Sequence, residues 1–330
     1  MLKIGLTGPY SPNMKAAFYD ALPDGFDVVE IPTVEDYGAL EDVDFVVLRT
    51  LKFDNATINR CKQLKMIQKY AVGYETIDIG AAAARNIPVV NCTGVNTVSV
   101  AEMAVLQMLA VLRNLLPLNR RLCAHQWAKD EFVQCSYTLK GKTVGIIGLG
   151  SIGRHVAQLL RAFGATVLYY DMFRQSEQTE QELGVTFFPF EELLPRVDLL
   201  TLHAPSTPET INLIDREALS KMKRGAILIN TARGNLVNEE ALIEALQSGQ
   251  LGGAGLDVFS SEPPAADSPL LHLENVVATP HVGGSTAGND SNMMRQCAGN
   301  IVKFCERKPI LKRNIVNLSM LSDPLPIEYQ

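Results

Sequence analysis

Short apolar runs punctuate this chain, and between them the apolar residues fall at helical spacing. In the first ninety or so residues the runs are 3–7, 27–31, 45–49, 66–69 and 88–91, which predict strands. Stretches 14–22, 56–61 and 79–85 lie between them and predict helices. Strands that alternate with helices point to a parallel sheet with crossover helices. A long helical pattern over about 99–115 follows, preceded by Asn96 and Thr97, residue types that cap helices. The stretch 123–141 has no clear period and holds Trp127, which is expected either to serve function or to pack the excursion down. A second alternation then supplies runs at 143–147, 166–170, 186–188, 199–202, 226–230, 253–257 and 276–279. A final helix over about 285–307 leads away from that sheet, and the tail 309–330 reads as partly extended.

Three charged residues sit just past the ends of consecutive runs. Arg233 follows AILINTA, Glu262 follows GAGLDVFSS and His281 follows VVATP. If these strands lie side by side and parallel, the three side chains gather at one edge, where open α/β sheets hold their ligands.

Bulk properties narrow the classes. A chain of 330 residues, 47% hydrophobic and 20% charged, suits two soluble globular domains. A net charge of −6 speaks against electrostatic nucleic-acid binding. The six cysteines are scattered without a C-x-x-C pair, so buried free thiols are expected and no metal site. Residues 98–118 are the most apolar stretch, but Glu102, Gln107, Arg113 and Asn114 interrupt it, so no membrane span is expected. The N-terminal residues read as a strand and not a signal segment, which makes a cytoplasmic location the expectation.

The sharpest motif is VGIIGLGSIGRHVAQLLRAFGATVLYYD. Gly148, Gly150 and Gly153 form G-x-G-x-x-G between a strand and an amphipathic helix. The first glycine permits a tight turn, the second lets a pyrophosphate approach the backbone, and the third lets helix and strand pack closely. The helix N-terminus then offers unpaired N–H groups to the phosphates. A second strand ends in Asp171, 18 residues past Gly153, placed to accept from ribose hydroxyls. A carboxylate there repels a 2′-phosphate, so the expected cofactor is NAD, although Arg174 softens that preference.

With a nicotinamide present, the three strand-end charges take separate roles. Arginine's planar fork matches a carboxylate. Histidine changes charge near neutral pH and suits the proton step. A carboxylate beside it favours the imidazolium form. Here INTARGNLVNEEALIEAL, GAGLDVFSSEPP, NVVATPHVGGST, YAVGYETID and GVNTVSVAEMAV, in that family's order along the chain, resemble segments of the NAD-dependent D-2-hydroxyacid dehydrogenases. The likeness covers nearly the whole chain and is phosphoglycerate dehydrogenase-like, without a C-terminal regulatory domain. It implies an α/β fold of two Rossmann-like, doubly wound parallel-sheet domains with a cleft between them, and a homodimer. It further implies a discontinuous, flavodoxin-like substrate domain of 1–96 plus about 290–330, and an NAD-binding Rossmann domain of 97–289.

By the same resemblance Arg233, Glu262 and His281 are the catalytic residues. Cofactor contacts fall to Gly148, Gly150, Ser151, Ile152, Gly153, Asp171, Ala204, Thr231, Ala232, Gly283 and Gly284, with Asp257 holding the nicotinamide carboxamide. Substrate contacts fall to Val72 and Gly73, with Arg233 and His281. Arg49 ends a strand, and with Lys52 and Lys69 it offers a second anion site, which favours 3-phosphoglycerate as the 2-hydroxy acid. Glyoxylate or hydroxypyruvate reduction is the alternative, because Tyr70 and Ala71 depart from the usual phosphoglycerate pattern. A different class also resembles this chain, the NAD(H)-responsive corepressor-like scaffolds. Among the other histidines, His125 and His272 read as surface or structural. His155 lies in the phosphate helix, and His203 reads as packing near the cofactor.

Overall fold

A computed structural model describes residues 1–322 and 325–328. Residues 323, 324, 329 and 330 of the expected extended tail lie outside the described residues. The chain forms two compact units, Met1–Val95 with Ala287–Gln330, and Asn96–Thr286.

In the first unit five parallel strands are β1 (Leu2–Thr7), β2 (Phe26–Ile31), β3 (Phe45–Leu48), β4 (Met66–Lys69) and β5 (Val89–Val90). Their order is β2-β1-β3-β4-β5, the flavodoxin-like winding. The runs are apolar on both faces, so both faces must be covered. Phe45 and Val47 pack with Met14, Phe18, Met294 and Ile301, while Val46 and Leu48 pack with Leu40, Ile58 and Ala82. The helix Asn289–Cys305 belongs to this unit despite its distance in sequence. A buried polar link fixes it, since Asn300 Nδ2 donates to Gln68 Oε1 of β4 at 3.0 Å.

The second unit holds β6 (Thr143–Ile147), β7 (Thr166–Tyr170), β8 (Val185–Phe187), β9 (Leu199–Leu202), β10 (Ala226–Asn230), β11 (Leu251–Leu256) and β12 (Val276–Ala278). All pairs are parallel, in the order β12-β11-β10-β9-β6-β7-β8. The order reverses beside β6, at the β6–β9 pair, which is where such sheets open a crevice. Helices Thr97–Leu112 and Ser151–Ala162 cover one face, and Arg216–Lys221 and Glu239–Gln247 the other.

Three local expectations need correction. Asn96 stands at the N-cap of Thr97–Leu112, but its side chain makes no cap bond. It packs instead against Gly284, where an added Cβ would lie 3.1 Å from Asn96 Nδ2. The stretch beyond residue 112 is not one excursion pinned by Trp127. Asn114 turns left-handed at φ 50°, a second helix runs Leu115–Cys123, and Trp127 is 81% exposed. Polar bonds hold this segment: Arg121 pairs with Glu131 and Glu274, and Asn114 Nδ2 donates to Ser136 Oγ at 3.1 Å. The thiols divide evenly, with Cys61, Cys92 and Cys297 buried and Cys123, Cys135 and Cys305 exposed. Among the described residues no group of His, Cys, Asp and Glu is arranged to hold a metal, and no single helix is long and apolar enough to cross a membrane.

Candidate active site

Strands β10, β11 and β12 are neighbours and parallel, so the loops after them share one edge. Buried Asn230 shapes the first loop: its Oδ1 accepts from Ala232 N at 3.0 Å and its Nδ2 donates to Arg233 O at 2.9 Å. The next residue, Gly234, lies against the second loop. A Cβ there would stand 1.9 Å from Phe259 O, a separation no side chain tolerates. The loop after β11 then folds Glu262 back on its own start, with Phe259 N donating to Glu262 Oε1 at 3.2 Å. The other oxygen, Oε2, lies 2.7 Å from His281 Nδ1.

His281 itself is left-handed at φ 51°, a conformation that costs energy for a residue with a Cβ. Buried Asp257 holds it there. His281 N donates to Asp257 O at 2.8 Å, and Val282 N and Gly283 N donate to the carboxylate at 2.9 and 2.8 Å. Thr279 Oγ1 adds a bond to Asp257 Oδ1 at 2.5 Å and in turn accepts from Gln107 Nε2 at 3.1 Å. An ionised carboxylate only accepts, so Glu262 selects the tautomer with the proton on Nδ1. That tautomer leaves a lone pair on His281 Nε2, which is able to accept a proton. Asn230, Gly234, Thr279 and Gln107 escape a reading from sequence, since each acts through a residue distant in the chain. The N-T-A-R-G string after an apolar run is the one local signal.

The glycine loop after β6 fits a dinucleotide. Gly148 is left-handed at φ 92°, and a Cβ on it would stand 2.8 Å from Ala204 N. A Cβ on Gly153 would stand 2.2 Å from Gly148 O, whereas one on Gly150 would meet open space. The helix begins with Ser151 and Ile152 after Gly150, without a side-chain cap, so its first N–H groups face outward for phosphate. Asp171 accepts from Leu149 N at 2.7 Å and from Phe173 N at 3.1 Å. A carboxylate has about four acceptor sites, so two remain for ribose hydroxyls. Thr231 Oγ1 and His203 Nδ1 are buried without a partner among the described residues, polar atoms of the kind a bound cofactor satisfies. Although His203 keeps some exposed surface, its ring is packed in; burial pushes its pKa down to about 3 and keeps it neutral. Gly283 approaches Asp257, and Gly284 approaches Asn96, so the loop carrying His281 packs on the start of helix Thr97–Leu112.

In the other unit, Arg49 follows β3 with its guanidinium over the rings of Tyr10 and Tyr70, at 5.8 and 5.7 Å. Val72 and Gly73 follow β4, and Val72 O accepts from Asn91 Nδ2 at 2.7 Å. Of the two lysines expected to join Arg49, Lys69 contacts it through the backbone. Lys69 is buried and donates to Arg49 O and to Thr76 Oγ1, and exposed Lys52 turns to Asp54 at 3.8 Å.

Residues 105–283 match the family described as D-isomer specific 2-hydroxyacid dehydrogenase, NAD binding domain. A D-3-phosphoglycerate dehydrogenase of Archaeoglobus fulgidus is 42% identical over 284 residues, which are 86% of this chain and 53% of that relative. The chain thus spans about half the length of that relative. A glyoxylate reductase of Korarchaeum cryptofilum is 40% identical over 84% of each chain. Among solved structures, the NAD-dependent formate dehydrogenase of Staphylococcus aureus in complex with NAD is 31% identical. It covers 96% of this chain and 99% of its own, with a TM-score of 0.83.

Proposed function

The chain belongs to the D-isomer specific 2-hydroxyacid dehydrogenase family, and from that membership we propose that it interconverts a D-2-hydroxy acid and its 2-oxo acid with NAD. The observation that carries the reading is the 2.7 Å contact of Glu262 and His281 at the edge that also bears Arg233. NAD, when bound, supplies the hydride chemistry. Arg233 binds the substrate carboxylate and polarises its neighbouring oxygen. His281 Nε2 takes the hydroxyl proton in oxidation and returns it in reduction. Glu262 orients the ring and stabilises its charged form. Val72, Gly73 and Arg49 are assigned to the substrate, which makes the first unit the substrate domain and the second the NAD domain.

Two substrates stand in order. The phosphoglycerate dehydrogenase relative supports 3-phosphoglycerate. A smaller acid, glyoxylate or hydroxypyruvate, is supported by the glyoxylate reductase matched over 84% of its length. The burial of Lys69, which donates to Thr76 Oγ1, weighs the same way. An NADH-oxidation panel of phosphohydroxypyruvate, hydroxypyruvate, glyoxylate, phenylpyruvate and oxaloacetate ranks them. Binding of NADH without turnover of any acid would instead favour the corepressor-like scaffold.

The assembly is proposed to be a homodimer, in a cytoplasmic setting. The reading follows the resemblance, and Trp127, Leu115, Leu122 and Val133, exposed on one short span of chain, are apolar groups that a second copy could cover. A sedimentation mass near twice 36.1 kDa is expected, and a single-chain mass at micromolar concentration would count against it.

A further inference from the structure

Arg174 lies three residues past Asp171 and is a cation of the type that accommodates a 2′-phosphate. Two of its nitrogens are directed elsewhere. Nε donates to Glu180 Oε1 and Nη2 to Glu180 Oε2, both at 2.9 Å, a two-point clamp. The guanidinium also lies over the Phe187 ring at 5.4 Å. Glu180 is itself buried and held, because Tyr169 OH donates to its Oε1 at 2.7 Å. That tyrosine is fully buried in β7, and its oxygen accepts from Gln175 N at 3.0 Å, which pins the far end of the loop after Asp171. The nearby cation Arg154 is turned to Leu149 O and Gln175 Oε1, at 3.2 and 2.6 Å.

These contacts form one chain of bonds from the strand interior to the loop. The bond to Arg174 holds the Glu180 carboxyl below its ordinary range against the opposing effect of burial. Burial, aided by the bond to Glu180, pushes Tyr169 up to about 12. Glu180 therefore remains an anion and Tyr169 a donor at neutral pH, so the charges of the clamp are in place under working conditions.

We propose that Glu180, seated by Tyr169, is a specificity-determining residue that withholds Arg174 from a 2′-phosphate and so keeps the site selective for NAD over NADP. The proposal rests on the assignment of Asp171 to the adenosine ribose and adds a second layer to it. Asp171 repels the phosphate, and Glu180 removes the cation that would compensate.

Calorimetric binding of NAD+ and NADP+ to the full chain tests it. Glu180→Gln keeps an acceptor for Tyr169 but discards the charge that clamps Arg174. NADP+ affinity is expected to rise about tenfold, the scale of one added charge-assisted hydrogen bond, while NAD+ affinity moves less than about twofold. The gain should vanish in Glu180→Gln/Arg174→Ala, and Arg174→Ala alone should leave NADP+ affinity unchanged. A folded Glu180→Gln without the gain, or a gain that survives loss of Arg174, overturns the proposal. So does weaker NADP+ binding in Arg174→Ala alone, an arm that decides even where Glu180→Gln does not fold. Failure of the unaltered chain to bind NAD+ would refute the Asp171 assignment instead.

Discussion

Replacing His281 with alanine is expected to lower kcat by roughly 10³-fold, the range set by loss of a positioned acid–base group. The side chain is half exposed, so its removal opens no buried cavity. The left-handed backbone at residue 281 is fixed by bonds to Asp257 O and to the Asp257 carboxylate, all made by main-chain groups. Alanine keeps every one of them. Stability and NAD+ affinity should therefore stay close to those of the parent chain, and the loss should fall on turnover. Steady-state kinetics with the best acid from the panel, beside a melting curve, separates these quantities. Undiminished turnover in the variant would rule out His281 as the proton carrier.

The second large effect is expected at a residue with no side chain. Gly234→Ala places a Cβ 1.9 Å from Phe259 O and 2.0 Å from Phe259 C, so the loops after β10 and β11 must separate. The moving parts carry Arg233 on one side and, through the bond from Phe259 N, Glu262 on the other. A shift of about 1 Å in such a site costs on the order of 10²-fold in rate, and overpacking costs about 1–3 kcal/mol of stability. The expected result is a kcat/KM lower by about 10²-fold, a modestly lower melting temperature, and NAD+ affinity within a few-fold of the parent. The glycine loop assigned to the phosphates lies on β6 and is untouched, so most of the binding should survive, and the few-fold allowance covers Thr231 and Ala232, which share the loop after β10. Unaltered kcat/KM would show that the two loops do not set each other's position.

These two residues mark the limit of reading a sequence. His281 becomes legible only in company, because an imidazole just past an apolar run, as His203 also is, gains a chemical role beside the glycine loop, Arg233 and Glu262. Gly234 does not, because its role depends on Phe259, a partner 25 residues away that no local pattern connects to it. The same contrast runs through the fold. Central strands such as Thr143–Ile147 and Ala226–Asn230 coincide with their apolar runs, because burial on both faces leaves a continuous signal. Trp127 misleads for the opposite reason. A large aromatic in an irregular stretch suggests an anchor, yet ion pairs of Arg121 and bonds of Asn114 hold that segment and leave the ring at the surface. Lys52 and Lys69 show a related limit, since charge read along a chain does not tell which groups pair. The geometry gives Lys52 to Asp54 and Lys69 to Arg49 O and Thr76.

By itself the sequence determined the alternation of strands and helices, the glycine loop with its terminal aspartate, and the three charges at strand ends. Each is built from local patterns, an apolar run and the residues just past it, and backbone sterics and burial act at that range. The tertiary structure alone decided that β6 lies beside β9 and that Gly234 touches Phe259. It gave the expected pair of Glu262 and His281 its 2.7 Å contact, and it alone bound Arg174 to Glu180. Those outcomes follow from close packing, in which the space left by one segment is fixed by another far away in the chain.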